Sequence, residues 1–317
     1  MIKKSDKIFL AGHKGLIGSA IFRKLKKDGY NNILTIDKKK LDLRNQLDVL
    51  NFIKKNKPKF IFVAAAKVGG IYSNNQYKAN FIYDNLMIQS NIINSAYECG
   101  VRDLIFLGSS CIYPKLSKQP IKESYLLTGK LEETNDAYAI AKIAGIKMCE
   151  SYNNQYKTNY KCLMPTNTFG PNDNYNTLNS HFVASLIKKI YFLEKNKKKF
   201  IKIWGNGKPK REIIYVDDIA DACVFFMNKK TKETLINIGT GKDRSIKEYV
   251  NYFLKILLPK NKVKIIYDLS KPNGTPRKLM DVSLAKKYGW TSKIKLKDAI
   301  VETYSVYKKF LPQKNRN

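Results

Sequence analysis

At 317 residues, 44% of them hydrophobic and 12% aromatic, the chain is long enough to bury a substantial core as one two-lobed unit or two modest domains, and too apolar to be disordered. Its net charge of +33 invites a nucleic-acid reading. That reading is set aside, because the excess is lysine scattered over solvated faces, with only seven arginines, at 23, 44, 102, 211, 244, 277 and 316. The basic field is read instead as one that draws in a small anionic substrate.

The opening Met1-Ile2-Lys3-Lys4-Ser5-Asp6-Lys7 is basic, and the apolar piece after it, up to Gly12, is too short for a signal-peptide core. No apolar run approaches the roughly 20 residues of a membrane span. A cytoplasmic protein with no membrane association is expected. Residues 7–11 read as a short buried strand, followed by a glycine-rich turn and an amphipathic helix to about residue 27. Strands are expected at 33–36, 60–64, 104–108 and 161–164. Helices are expected at 46–55, 76–99 and 136–156. Strands alternating with helices imply α/β architecture, a doubly wound parallel sheet. After about residue 171 the rhythm becomes irregular, as in a smaller C-terminal α/β lobe that covers a substrate. The expected division is 1–170, with 213–240 returning to it, for the nucleotide domain, and 171–212 plus 241–317 for the substrate lobe. Val216-Asp217-Asp218-Ile219 is a candidate helix start. The five cysteines, Cys99, Cys111, Cys149, Cys162 and Cys223, contain no C-x-x-C, so neither a disulfide framework nor a metal site is expected.

Gly12-His13-Lys14-Gly15-Leu16-Ile17-Gly18 sits between the first strand and its helix. Glycines there permit a tight turn and close approach of backbone to a pyrophosphate, which the helix N-terminus then faces. At the end of the second strand, Asp37 would bind a ribose 2′-hydroxyl and favour NAD. Lys14, Lys38 and Lys39 would hold a 2′-phosphate and favour NADP; on spacing alone both stay open.

Tyr138-Ala139-Ile140-Ala141-Lys142 places a phenol and an ammonium four residues apart on one helix face. A nearby ammonium favours phenolate, so Tyr138 can exchange a proton with a carbonyl or alcohol. Ser109, at the carboxyl end of the fourth strand, is placed to hydrogen-bond the same oxygen. Cys111 lies two residues on; it is either a packed small residue or a second reactive group in the same cleft. His181 is one of two histidines, and Arg211 suits bidentate contact with a diphosphate.

Glycine loop, strand-end serine and Y-x-x-x-K, in that order, resemble the extended short-chain dehydrogenase/reductase superfamily, with its Rossmann-type sheet. More specifically, Gly108-Ser109-Ser110-Cys111-Ile112-Tyr113-Pro114, Tyr138 to Gly145, Met164-Pro165-Thr166-Asn167 and Asn179-Ser180-His181 resemble the GDP-L-fucose synthase family, the GDP-4-keto-6-deoxymannose 3,5-epimerase-4-reductases. Ala65-Ala66-Lys67-Val68-Gly69-Gly70-Ile71 and Gly274-Thr275-Pro276-Arg277-Lys278 are similar too, and the resemblance runs from about residue 7 to 310.

The resemblance implies a GDP-sugar substrate, NADP(H) and a homodimer. It implies that Cys111 and His181 act as base and acid in inverting C3 and C5, that Tyr138 protonates the C4 oxygen during reduction, that Lys142 lowers the phenol's pKa and holds the nicotinamide ribose, and that Ser109 positions the keto oxygen. Gly12 to Gly18, Lys38, Leu107, Gly108, Ser109, Ser110, Lys142, Pro165, Thr166, Asn167, Thr168 and His181 should line the cofactor. Lys189, Trp204, Arg211 and Asn273 match substrate-contacting positions, Asn273 standing where the family has an acidic residue. The competing readings are a related GDP-sugar epimerase/reductase acting on another 4-keto deoxy sugar for surface polysaccharide, and a basic nucleic-acid-binding protein on the same fold.

Overall fold

The chain's first strand, β1 (Ile8–Ala11), is apolar at every position and buried on both faces, the pattern of a central parallel strand. In this computed structural model, which describes residues 2–176, 180–271 and 273–314, it is followed by α1 (Leu16–Lys27), β2 (Ile33–Leu34), α2 (Gln46–Asn56), β3 (Phe60–Val63), α3 (Ile71–Gln76), α4 (Lys78–Glu98), β4 (Asp103–Leu107), α5 (Asp136–Tyr156) and β5 (Asn159–Pro165). The second half holds β6 (Asn167–Phe169), α6 (Phe182–Lys195), β7 (Phe200–Trp204), β8 (Lys210–Tyr215), α7 (Val216–Asn228), β9 (Leu235–Ile238), β10 (Asp243–Ser245), α8 (Ile246–Leu257), β11 (Lys264–Asp268), β12 (Arg277–Lys278), α9 (Ser283–Lys287) and α10 (Leu296–Lys314). No helix among the described residues is long and apolar enough to cross a membrane.

Six strands form one sheet in the order β2-β1-β3-β4-β5-β9, every pair parallel. One face packs on α1 and α7 through Ile8, Leu10, Ile21, Ile219 and Ala220. The other packs on α2, α4 and α5 through Phe9, Val49, Ile92 and Ile146. The chain leaves β1 toward β2 on one side and returns to β3 on the other. That reversal opens a crevice at the carboxyl edge, where ligands bind in such sheets.

Several elements differ from the sequence reading. The second strand is only two residues long. The helix expected over 76–99 is α4, preceded by a short helix, α3, from which it is separated at Tyr77, whose φ and ψ of −119° and 40° are not helical. The start of α7 is capped by Tyr215 without a side-chain hydrogen bond, while Asp217 and Asp218 lie inside the first turn, where their charge favours the helix dipole.

Two smaller sheets complete the fold. In one, β8 pairs antiparallel with β10 and parallel with β12 and β6; in the other, β7 pairs with β11. The key tie is Glu212, a fully buried carboxylate on β8. Its Oε1 accepts from the amides of Thr240 and Gly241 at 2.5 and 2.7 Å, and its Oε2 from the Met280 amide at 2.9 Å. Its own carbonyl accepts from Thr166 Oγ1 and Asn167 Nδ2. Replacing Glu212 by Gln turns one acceptor into a donor that faces a backbone N–H. A loss of about 1–3 kcal/mol follows, read as a lower midpoint in denaturant unfolding; an unchanged midpoint would remove the clasp.

Lys161, on β5, is also fully buried, and among the described residues its Nζ finds no hydrogen-bond partner. Desolvation pushes its pKa down from 10.5 to about 8. Between those two values the unfolded chain binds the extra proton, so this group makes stability rise with pH from about 8 to 10.5. Lys161→Met should stabilise the protein by about 1–3 kcal/mol at neutral pH and flatten the pH dependence of Tm over that window. A destabilised, equally pH-sensitive variant would show that the ammonium has a partner.

Candidate active site

The groups expected to bind a dinucleotide all fall at the carboxyl edge of the large sheet. Gly12 ends β1 at a φ of +89°, left-handed backbone that favours glycine. A side chain there would run into the Ala65 backbone, and one on Gly18 would collide with the Gly12 carbonyl. Gly15 N-caps α1 without any side-chain hydrogen bond, which leaves the first amides of the helix to a ligand. This cradle, which a Cβ would fill, fits a pyrophosphate. Leu16 and Ile17 begin the helix half-buried.

Beyond β2, Asp37 is engaged by Lys14 at 2.7 Å and His13 at 3.4 Å, and the Lys14 ammonium holds its carboxyl below the ordinary range. Lys38 and Lys39 stand exposed beside it. The carboxylate that would select a 2′-hydroxyl is therefore already charge-paired, and two exposed ammoniums flank it.

After β4, Ser109 caps a short 3₁₀ turn, Ser110–Ile112, its hydroxyl accepting from the Cys111 amide at 3.5 Å. The turn folds Cys111 back into a buried position near Ser109, while Leu107 and Ser110 are buried and Gly108 hydrogen-bonds β5 through Leu163. From α5, the buried Lys142 donates to the Leu107 carbonyl at 2.8 Å. Its Nζ lies 5.9 Å from the Tyr138 ring centroid. Burial pushes the ammonium down to about 8 and pushes the Tyr138 phenol above its ordinary range, with Cys111 the second cause. The expected direct lowering of the phenol by Lys142 is not met by this geometry, because the ammonium is directed at a backbone carbonyl. Cys111 acts electrostatically on both Tyr138 and Lys142, so the four groups share one site. Burial also raises the thiol.

Pro165 and Thr166 are buried, and Asn167 and Thr168 half-buried, where β5 passes into β6. Thr166 and Asn167 are anchored on the Glu212 carbonyl, and Thr168 Oγ1 donates back to Thr166.

His181 N-caps α6. It is exposed, yet enough protein stands around it to lower its imidazole pKa. Asn179, beside it in sequence, lies outside the described residues. Lys189 Nζ donates to the Lys202 carbonyl at 2.9 Å, and burial lowers its pKa. Trp204 is 51% exposed at the end of β7, with Lys271 Nζ 5.7 Å from its ring centroid. Arg211 donates to the Thr275 carbonyl at 2.6 Å. Asn273 uses its side-chain oxygen to accept from the Asn206 amide at 2.8 Å, so it fastens the loop after Trp204. These four groups lie on α6, β7, β8 and the loop before β12, whereas Ser109, Cys111, Tyr138 and Lys142 lie after β4 and on α5.

Sequence reasoning missed two residues. Glu212 carried no signal beyond its position next to Arg211. Lys278 was visible in the motif Gly274 to Lys278 without a role; the structure places it in the small cavity lined by Cys111, Glu132 and Thr275.

The sequence model described as the NAD dependent epimerase/dehydratase family matches residues 8–239. A putative GDP-L-fucose synthase from Arabidopsis thaliana is 49% identical over 100% of this chain and 96% of its own length. A GDP-L-fucose synthase from Escherichia coli strain K12 is 44% identical over 94% of this chain and 95% of its own. Among solved structures, a GDP-mannoheptose C4 reductase from Campylobacter jejuni with NADP bound superposes with a TM-score of 0.87 at 38% identity, covering 97% of this chain and 100% of that one.

Proposed function

The chain belongs to the NAD dependent epimerase/dehydratase family, and we propose that within it the protein converts GDP-4-dehydro-6-deoxy-α-D-mannose to GDP-L-fucose, inverting C3 and C5 and reducing the C4 ketone with NADPH. The observation that carries this reading is the thiol of Cys111 folded into the same site as Ser109, Tyr138 and Lys142. A site that only reduces needs no such group; one that also epimerises needs a base beside the ketone. The relatives named GDP-L-fucose synthase, matched over nearly the whole chain, support the same substrate.

The C4 ketone acidifies the protons at C3 and C5. Cys111, as thiolate, removes each in turn, while Ser109 and Tyr138 hydrogen-bond the oxygen on which charge develops. His181 returns a proton to the opposite face. NADPH supplies, when bound, the hydride that reduces C4. Tyr138 gives its phenolic proton to the C4 oxygen, and Lys142 holds the ribose. Gly12, Gly15 and Gly18 cradle the pyrophosphate, and Lys14, Lys38 and Lys39 favour the 2′-phosphate over the hydroxyl that Asp37 alone would select. Arg211 and Lys189 meet the substrate diphosphate, and Trp204 offers a face to guanine.

The decisive experiment mixes the protein with the keto sugar and follows NADPH and NADH oxidation in parallel, with the product identified by NMR. NADPH-preferring oxidation to GDP-L-fucose is expected; a non-epimerised product would retain the reductase and remove the roles of Cys111 and His181. Reduction without inversion, or turnover only of another 4-keto deoxy sugar, would favour the related-enzyme reading that the C4 reductase resemblance raises. Tyr138→Phe should lower the reduction rate by roughly 10²–10⁴-fold while solvent deuterium still enters C3 and C5. Cys111→Ser should suppress that exchange.

We propose that the protein works in the cytoplasm as a homodimer, paired through α4 and α5, which leave Tyr83 and Ile140 58% and 47% exposed. Light scattering should give twice the 36.5 kDa chain mass, and a Tyr83→Asp, Ile140→Asp double variant should give the monomer; a wild-type monomer would end this part of the reading.

A further inference from the structure

Lys278 lies on β12, which pairs with β8 so that Lys278 stands opposite Arg211. This pairing brings its side chain to the small cavity in front of Cys111. Glu132, the carboxylate in the same cavity, is taken by Lys115 at 3.1 Å. Arg277, next to Lys278 in sequence, is held by Asp243 at 2.6 Å. The cationic group left facing the thiol across the cavity is therefore Lys278.

We infer that Lys278 is a positioning residue for the epimerising half of the reaction, the counter-ion that eases formation of the Cys111 thiolate. This rests on the proposed role of Cys111 as base. A thiol in a buried site resists ionising. The ammonium of Lys278 is the largest influence opposing that resistance, ahead of the Ser109 hydrogen bond and the charge of Lys142. The other group bearing on the site from α5, Tyr138, is itself raised by burial. Burial lowers the Lys278 pKa, the charge of Cys111 acts to raise it, the like charge of Arg211 from β8 lowers it, and Glu132 acts to raise it. On ionisation the Cys111 proton leaves to solvent, and the Sγ charge remains beside Nζ of Lys278. The thiolate then takes a carbon-bound proton of the sugar and becomes a thiol again, so the protons balance in each half-cycle.

The test is the pH dependence of iodoacetamide alkylation at Cys111 in the full-length protein, followed by peptide mass spectrometry, which separates it from the half-buried Cys99. Lys278→Met should move the apparent thiol pKa up by at least about one unit, slowing alkylation at pH 7 by about tenfold. Lys278→Arg should restore the wild-type profile and shows whether the fold tolerates change at this position. Deuterium entry into C3 and C5 should shift along the pH axis by the same amount in Lys278→Met. An alkylation profile identical in wild type and Lys278→Met, with only KM for the GDP sugar raised, would make Lys278 a diphosphate ligand and overturn the inference. A shifted alkylation profile without deuterium exchange in any form, wild type included, would sustain the ion pair and overturn the substrate reading instead.

Discussion

The buried carboxylate of Glu212 is the constraint from which the geometry of the sheet around β8 follows. A charge placed in the interior is tolerated only when its hydrogen-bonding capacity is filled, and here three backbone amides, from Thr240, Gly241 and Met280, fill it. Those amides come from two separate stretches of chain. The carboxylate therefore fixes the turn after β9 and the strand β12 in one relation to β8. Gly239 is part of the same arrangement, since a side chain there would collide with the carboxylate. On the neighbouring position of β8 stands Arg211, and across from it Lys278. The cations that face the cleft are thus aimed by a group that never touches it.

Within the cleft the common physical theme is desolvation. Lys142 is shifted toward its neutral form, and Tyr138 and Cys111 resist ionising, each with burial as the largest cause. A site tuned this way holds little net charge of its own. It responds when a ligand brings charge into it, and the interactions it then makes act at low dielectric, where they are strongest. The scattered lysines of the outer surface contribute a broad field that attracts an anion. The recognition itself falls to a few partly buried groups.

Much of this was legible in the sequence because local patterns there have local meanings. The apolar run before Gly12, the glycine spacing and the four-residue step from Tyr138 to Lys142 each describe a piece of structure that forms from neighbours. What escaped needed the third dimension. The break at Tyr77 has no proline or glycine to announce it. Lys161 sits in a strand where alternation would put a polar residue outward, yet α7 covers that face. The direction of the Lys142 ammonium toward Leu107 depends on how α5 lies over β4, which spacing on a helix does not specify. Glu212 and Lys278 belong to short strands whose partners are tens of residues away, so their roles depend on pairing alone.

The path of the chain between the sheets has a consequence for how such proteins can change over generations. The backbone leaves the large sheet after β5, returns with β9, and leaves again through β10 to β12. Cys111 is contributed before the first departure and Lys278 after the last. A single recombination between two diverged relatives, anywhere from Ile112 to Arg277, would take the thiol from one parent and the ammonium from the other. The two halves of the site are therefore expected to drift as a linked pair, and a chimera that fills the fold perfectly well can still inherit a mismatched cleft.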